Sequence, residues 1–274
     1  MIKKSIIFAC LLLLTPVFAR SESSGSKWRE YFGLESKEDT VKASEDEIPA
    51  PKRERKPRRK RTIDNPEGMV DLVDSPTSNV LDYGGFRLNF RLYTAGGVQN
   101  HISFGVFKRL NIGATWDIEK LLGSEDPRTV SPTLFAKFRI YDGGNVLPSF
   151  AVGYDGQGRF YDRTVDEYSE RERGLFAAFT REIYWPALQI HFGANIAKFK
   201  DAEVYGFTGL SYQIEDKVAL LMEYDNIRKG PNNRWNAGVR FFPVPSLAVD
   251  FAFRRIASKY DKERIIRINW VGAF

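Results

Sequence analysis

The chain has 274 residues, with 41 Lys/Arg against 35 Asp/Glu, 43% hydrophobic and 14% aromatic residues, and a single cysteine. One cysteine excludes an internal disulfide framework and thiol-rich metal sites. Beyond the N-terminus, no apolar run approaches the ~20 residues of a membrane helix, so any membrane span must be built from strands.

The first segment, 1–19, reads as a secretory signal peptide. Lys3 and Lys4 precede an apolar stretch from Ser5 to Phe18, and Val17-Phe18-Ala19 gives a small-residue cleavage pattern after Ala19. Cys10 lies inside this stretch. Ile7-Phe8-Ala9-Cys10 resembles a lipoprotein box, but Leu11 to Leu14 continue the apolar core past the cysteine.

Residues 20–80 are polar, charged and rich in Ser, Glu, Lys and Pro, which predicts a disordered tail. Ser26 to Glu35 carries Trp28, Tyr31, Phe32 and Leu34 at near-helical spacing, which fits a short docking helix or a transient one. The run 51–62 holds eight Lys/Arg and one Glu. Setting its +7 and the signal segment's +2 against the total of +6 leaves −3 elsewhere, so the basicity belongs to the tail. Behind a signal peptide this run cannot meet nucleic acid. It is expected to stay extended, and an envelope polymer, anionic lipid or a periplasmic protein is its candidate partner.

From residue 81 to 274 the pattern changes to period-two alternation broken by turn signals. Twelve strands are predicted, at 85–94, 98–107, 110–118, 131–141, 146–155, 173–182, 187–197, 203–213, 217–225, 234–242, 246–255 and 264–274. The sixth and eighth are ambiguous in parity, which leaves ten as the other count. Short connections such as Lys108-Arg109 and Glu215-Asp216 alternate with longer ones such as Gly156 to Glu172. The expected fold is all-β: an antiparallel, transmembrane up-and-down β-barrel whose even strand count returns both termini to one side.

One face of each strand is apolar: Phe86, Leu88, Phe90 and Leu92 in the first, Leu247, Val249, Phe251 and Phe253 in the eleventh. The opposite face carries Arg87, Arg91, Asp117, Lys137, Arg139, Glu223, Arg240, Asp250, Arg254 and Arg267, the candidate lumen-lining residues. A soluble sandwich would alternate too, with its charges facing water. Glu223, Arg240, Asp250 and Arg267 alternate in sign across four successive strands, which fits either a wall-to-wall ion-pair network or a pore lining that selects charged solutes. Inner positions such as Gly113, Ala151, Gly193 and Ala252 are small. At twelve strands a barrel falls between filled and open ones.

Ile266, Ile268, Trp270 and the terminal Phe274 resemble the closing strand of bacterial outer-membrane β-barrels. The resemblance implies an assembly signal read by the barrel-assembly machinery, a bacterial outer membrane with its lipid and lipopolysaccharide outside the barrel, and a tail in the periplasm. Leu81-Asp82-Tyr83-Gly84, Leu110-Asn111-Ile112-Gly113 and the turn from Gly153 to Gly158 resemble the YjbH-type barrels associated with exopolysaccharide. That implies a part in polymer secretion or envelope organisation. His101-Ile102-Ser103 resembles the His-x-Ser pair of the outer-membrane phospholipases, with Asn111 as orienting residue. Here Phe104-Gly105 follows where that family has Ser-Asn-Gly, and parity turns His101 and Ser103 inward, away from lipid. Gly153 to Gly158 lacks the following helix of a nucleotide loop, Asp155 has too few companions for calcium, and Tyr184-Trp185-Pro186 reads as an interfacial turn. The expectation is a non-enzyme without cofactor or metal: a pore, an envelope component, or a non-conducting scaffold.

Overall fold

The computed structural model describes residues 69–274 except 145, 166, 172, 184–187, 198–202, 229–232 and 260–261. The signal segment 1–19, the stretch Ser26 to Glu35, the basic run 51–62 and Tyr184-Trp185-Pro186 lie outside the described residues. Fifteen strands follow in chain order: β1 (Gly85–Tyr93), β2 (Gly97–Phe107), β3 (Leu110–Glu119), β4 (Arg128–Thr129), β5 (Thr133–Tyr141), β6 (Ser149–Asp155), β7 (Gly158–Asp162), β8 (Glu167–Arg171), β9 (Gly174–Glu182), β10 (Leu188–Ile196), β11 (Val204–Ile214), β12 (Val218–Ile227), β13 (Arg234–Val244), β14 (Leu247–Arg254) and β15 (Glu263–Ala273).

Twelve of them form a closed antiparallel barrel in which each strand pairs with its sequence neighbours. Closure is made by β15 against β1, from Gly85↔Ala273 to Leu92↔Ile266. A closed ladder leaves no free strand edge, the condition for a sheet that faces hydrocarbon. The two-residue β4 extends the far end of β3, and β7 pairs with β8 as a hairpin between β6 and β9. Thus the larger strand count is the observed one. The sixth and eighth predicted strands, β9 and β11, are ambiguous because Phe176 and Phe207 are apolar yet buried on the inner side. Their rings lie over Gly153 and Gly193, where a Cβ would sit 2.4 and 2.3 Å from the ring.

The outer surface is an apolar belt. Leu134, Leu175, Leu220, Trp235, Phe253 and Ile266, drawn from six strands, are all exposed. An unbroken apolar girdle of this kind is not a surface for water. Aromatic rings gather toward the end with the short turns: Phe150, Phe179 and Phe192 stack at 4.5 and 5.1 Å, and Phe274 lies 5.1 Å from Phe86. Among the candidate assembly residues, Ile266, Ile268 and Trp270 point outward from β15, and Phe274 is 91% exposed.

The inside is the reverse, and it is full. Residues 69–80, which the sequence assigns to the disordered tail, are ordered and enter the barrel from the short-turn end. They form a narrow hairpin closed by the bridge Asp71↔Pro76, with Leu72 N–H donating to the Ser75 carbonyl (2.9 Å) and Thr77 N–H to that of Val70 (3.2 Å). Asp74-Ser75-Pro76 supplies its turn chemistry. Met69, Leu72 and Val73 pack on the inner faces of β12 to β15 against Ala219, Leu221, Phe242, Ala248, Ala252 and Ile265. The chain then leaves past Leu81 and Gly84, whose N–H donates to the Gly105 carbonyl (2.9 Å), and becomes β1.

Candidate functional site: the occupied lumen

Alternation on the barrel strands turns Arg87, Arg91, Asp117, Lys137, Glu223, Arg240, Asp250, Arg254 and Arg267 into the interior, where all are buried. Arg139 departs from the expected set. It sits two residues before the end of β5, at a break in the β5–β6 register, and its guanidinium reaches Asp142 at the rim (3.4 Å). The others line the interior, yet most of the arginines do not face an open channel. They hold the hairpin.

Asp71 takes Arg87 at 2.7 Å, Arg267 at 3.3 Å and Arg240 at 3.5 Å. Asp74, at the tip, takes Arg91 at 2.5 Å, Arg159 at 3.9 Å, and Arg254 in direct contact. Backbone groups are gripped as well. Arg267 donates to the Val73 carbonyl (3.1 Å) and to that of Leu72, while Lys137 donates to the Val70 carbonyl (3.0 Å). Glu223 accepts the N–H groups of Asp74 (2.9 Å) and Ser75 (2.9 Å). Near the short turns, Ser78 N–H donates to Thr180 Oγ1 (3.0 Å), and the Ser78 and Ser149 hydroxyls share a bond of 2.6 Å.

A buried carboxylate without partners would be neutralised, since burial penalises the charged form. Burial does pull the Asp71 carboxyl upward, but Arg267, Arg87 and Arg240 outweigh it and hold the group well below the ordinary carboxylate range. For Asp74, Arg91 and Arg159 lead the same effect against burial. Both hairpin acids are therefore carboxylates at neutral pH.

The wall-to-wall network is present in part. Arg240 binds Asp250 through Nε (2.7 Å) and Nη2 (2.9 Å), and Arg267 Nε reaches the same carboxylate at 2.7 Å. Glu223 leaves this alternating series and serves the hairpin backbone and Asn236 instead (2.6 Å).

Sequence reasoning missed Asp71 and Asp74, because they fall in a polar stretch without alternation. It also missed Arg159, Arg173, Asp225 and Glu263, which close the far mouth. Arg159 on β7 binds Glu263 at 2.5 Å, and Arg173 binds Asp225 through two bonds of 2.8 and 2.9 Å while donating to Ser75 Oγ (3.3 Å). The segment before β9 thus folds inward over the hairpin tip. One local sign was available: Met69-Val70-Asp71-Leu72-Val73-Asp74 repeats two apolar residues and an acid.

The phospholipase arrangement is not assembled. His101 and Ser103 share the inner face, but Asn111 pairs with Gly105, and His101 Nδ1 meets Thr115 Oγ1 at 2.7 Å. The second histidine, His191, is spanned by Thr180 and Ser211 hydroxyls at 3.0 and 2.9 Å and is fully buried. Gly153 lies within β6 and Gly158 begins β7, so the glycine-rich stretch crosses between two strands. Among the described residues no group of three or more His, Cys, Asp or Glu could hold a metal.

Beside the hairpin a cavity of about 70 Å³ remains, lined among others by Arg87, Arg91, His101, Lys137, Arg173 and Arg267. Its wall lining comes mostly from β1, β2, β3, β5, β6 and β9, with Arg267 from β15.

No protein-family model matches this chain, and no curated protein sequence does. Several solved structures resemble it distantly. A KdgM porin matches at 10% identity over 69% of this chain and 99% of its own, with a TM-score of 0.45. The outer membrane protein Omp33 of Acinetobacter baumannii matches at 12% over 72% and 100%, with a TM-score of 0.40. The translocator domain of the autotransporter NalP from Neisseria meningitidis matches at 14% over 69% and 86%, with a TM-score of 0.35. At that distance no residue role transfers, and what the barrel does has to come from its own side chains.

Proposed function

We propose that this chain is a bacterial outer-membrane β-barrel that acts as a pore held shut by its own N-terminal hairpin. The observation that carries this is what fills the lumen. Small barrels fill with side chains of their own wall. Here the wall keeps small residues such as Ala219, Ala248 and Ala252 on its inner face, and the space in front of them is taken by a separate segment, 69–80. Gly209 on β11 marks the fit: a Cβ there would lie 2.4 Å from Leu72 Cδ1. A segment joined to the barrel at one end only, and entering from the short-turn end, can be withdrawn toward the tail that precedes it. The apolar belt supports the membrane setting, and the outward Ile266, Ile268, Trp270 and Phe274 suit the assembly signal.

The test is conductance in planar bilayers. The wild-type protein should be silent or open rarely, and Asp71→Asn with Asp74→Asn should give discrete steps. A double variant that keeps its heat-dependent gel shift and stays silent would overturn the pore.

A second reading is favoured by the density of bonds on the hairpin. Three guanidiniums on each acid suit a permanent clamp, with the barrel a non-conducting anchor for the periplasmic tail. In surface-polymer secretion, which the YjbH-type resemblance implies, either form has a place, as conduit or as scaffold. Silence from the folded double variant would favour the scaffold.

A further inference from the structure

The hairpin shows what the lumen is built to hold. Asp71 and Asp74 each present a carboxylate to guanidiniums drawn from different strands: Arg87, Arg240 and Arg267 around one, Arg91, Arg159 and Arg254 around the other. The planar guanidinium fork matches carboxylate geometry, so arrays of this kind are recognition sites as well as clamps. The rest of the lumen is not neutral without these acids. Among the described residues nine Lys/Arg are buried against five buried Asp/Glu, a surplus of four positive charges. The two hairpin carboxylates lower that surplus to two. A lumen without its hairpin is therefore strongly cationic.

A second feature points to an incoming ligand. The cavity beside the hairpin reaches both arginine groups, with Arg87 and Arg267 from one and Arg91 from the other on its lining. Arg91 Nε and His101 Nε2, both from lining residues, are buried without a hydrogen-bond partner. Buried polar atoms of this kind are costly to leave unmet. An acidic group entering the cavity would meet the Arg91 Nε donor before it disturbed the hairpin at all.

We propose that the two arginine groups are the binding site of a linear polycarboxylate, for which Asp71 and Asp74 are built-in stand-ins, and that this ligand and the hairpin exclude each other. Resting on the pore reading, this names the solute class: an acidic chain with carboxylates at close intervals, such as an acidic polysaccharide segment. Binding begins in the cavity and proceeds by exchanging Asp74 and then Asp71 for ligand carboxylates, with no net loss of ion pairs.

The experiment uses the mature full-length protein with short oligoglutamate, and neutral dextran of similar length as control. Calorimetry should show oligoglutamate binding to Asp71→Asn/Asp74→Asn about tenfold more tightly than to wild type, because the internal competitor is gone. Arg87→Gln with Arg91→Gln, added to that variant, should remove the gain. In bilayers, oligoglutamate should interrupt the variant's current at about tenfold lower concentration than dextran. If the variant conducts and the two oligomers act alike, the ligand proposal falls while the pore stands. If the variant is silent but binds oligoglutamate with the stated arginine dependence, the pore falls and the ligand site stands. Equal affinity of wild type and variant overturns the competition. Should the variant lose its heat-dependent gel shift, Gly209→Leu takes its place, since it crowds Leu72 and leaves every lumen charge intact.

Discussion

The two sides of the hairpin differ. Toward β12–β15 it has a dry, tightly fitted patch, with Met69, Leu72 and Val73 against Ala219, Leu221, Ala248, Ala252 and Ile265, beside the charged Glu223, Arg240, Arg254 and Arg267 that also bind it. Toward β1–β6 and β9 it borders a cavity and is held by polar groups: Arg87 and Arg91 on its acids, Lys137 on the Val70 carbonyl and Thr180 on the Ser78 N–H. Apolar contact is non-directional and strong in sum, whereas a buried cation beside a cavity can trade one partner for another. The contrast teaches that the hairpin is anchored on one wall and exchangeable on the other. On the pore reading, any passage through the barrel begins on the β1–β6 side.

The largest expected effect comes from the acids that tie both sides together. Removing one partner of a buried ion pair costs about 3–5 kcal/mol. Asp74→Asn leaves Arg91, Arg159 and Arg254 facing one another, and it should raise hydrogen exchange across residues 70–78 far more than in the barrel strands. Equal protection in the two regions would show that the hairpin and wall unfold as one unit. Next, Leu72→Ala strikes the dry side alone. At about 2–5 kcal/mol for a buried leucine, it should loosen the hairpin without altering ion preference. A changed selectivity would mean that the dry side lines the path. On the cavity side, Lys137→Met loses one hydrogen bond, to the Val70 carbonyl, and should cost about 1 kcal/mol. An effect on hairpin protection as large as that of Leu72→Ala would erase the contrast between the walls.

Acid should have the smallest effect over the ordinary range. The free-chain value of Asp71 and Asp74 is 3.8, and both are held below it when seated. Carboxylates with depressed values contribute stability above the free-chain value and lose it as pH falls through the seated one. The closed state should therefore persist from neutral pH down past 3.8 and yield only in stronger acid. Opening near pH 5 would contradict the arginine contacts on these two groups.

Strands were the most legible part of this chain, since a two-residue period under an apolar outer wall leaves its mark on nearly every position from Phe86 to Phe253. Parity blurred only where Phe176 and Phe207 put rings inside over Gly153 and Gly193. The inward direction of Arg87, Arg91, Arg240 and Arg267 was legible for the same reason. What those arginines hold was not. Arg267 and Val73 are 194 positions apart, and no local pattern encodes so distant a bond. The hairpin itself was hidden by composition: Asp74-Ser75-Pro76-Thr77-Ser78 reads as loop, and a segment that folds only inside another structure lacks a period of its own. Arg139 shows the limit of parity, because the β5–β6 register breaks there and the side chain reaches Asp142 at the rim.

The most direct test of the central claim places cysteines at Leu72 and Gly209, where Leu72 Cδ1 lies 2.4 Å from a Cβ built on Gly209. A disulfide needs Cβ atoms about 3.5–4.5 Å apart, and Leu72 Cβ lies two bonds back from Cδ1, so a seated hairpin brings the pair within reach. Mild oxidation of the mature Leu72→Cys/Gly209→Cys protein in membranes should cross-link nearly all of it, with the heat-dependent gel shift retained. A barrel that keeps its gel shift but forms no cross-link would show that the hairpin does not occupy the lumen.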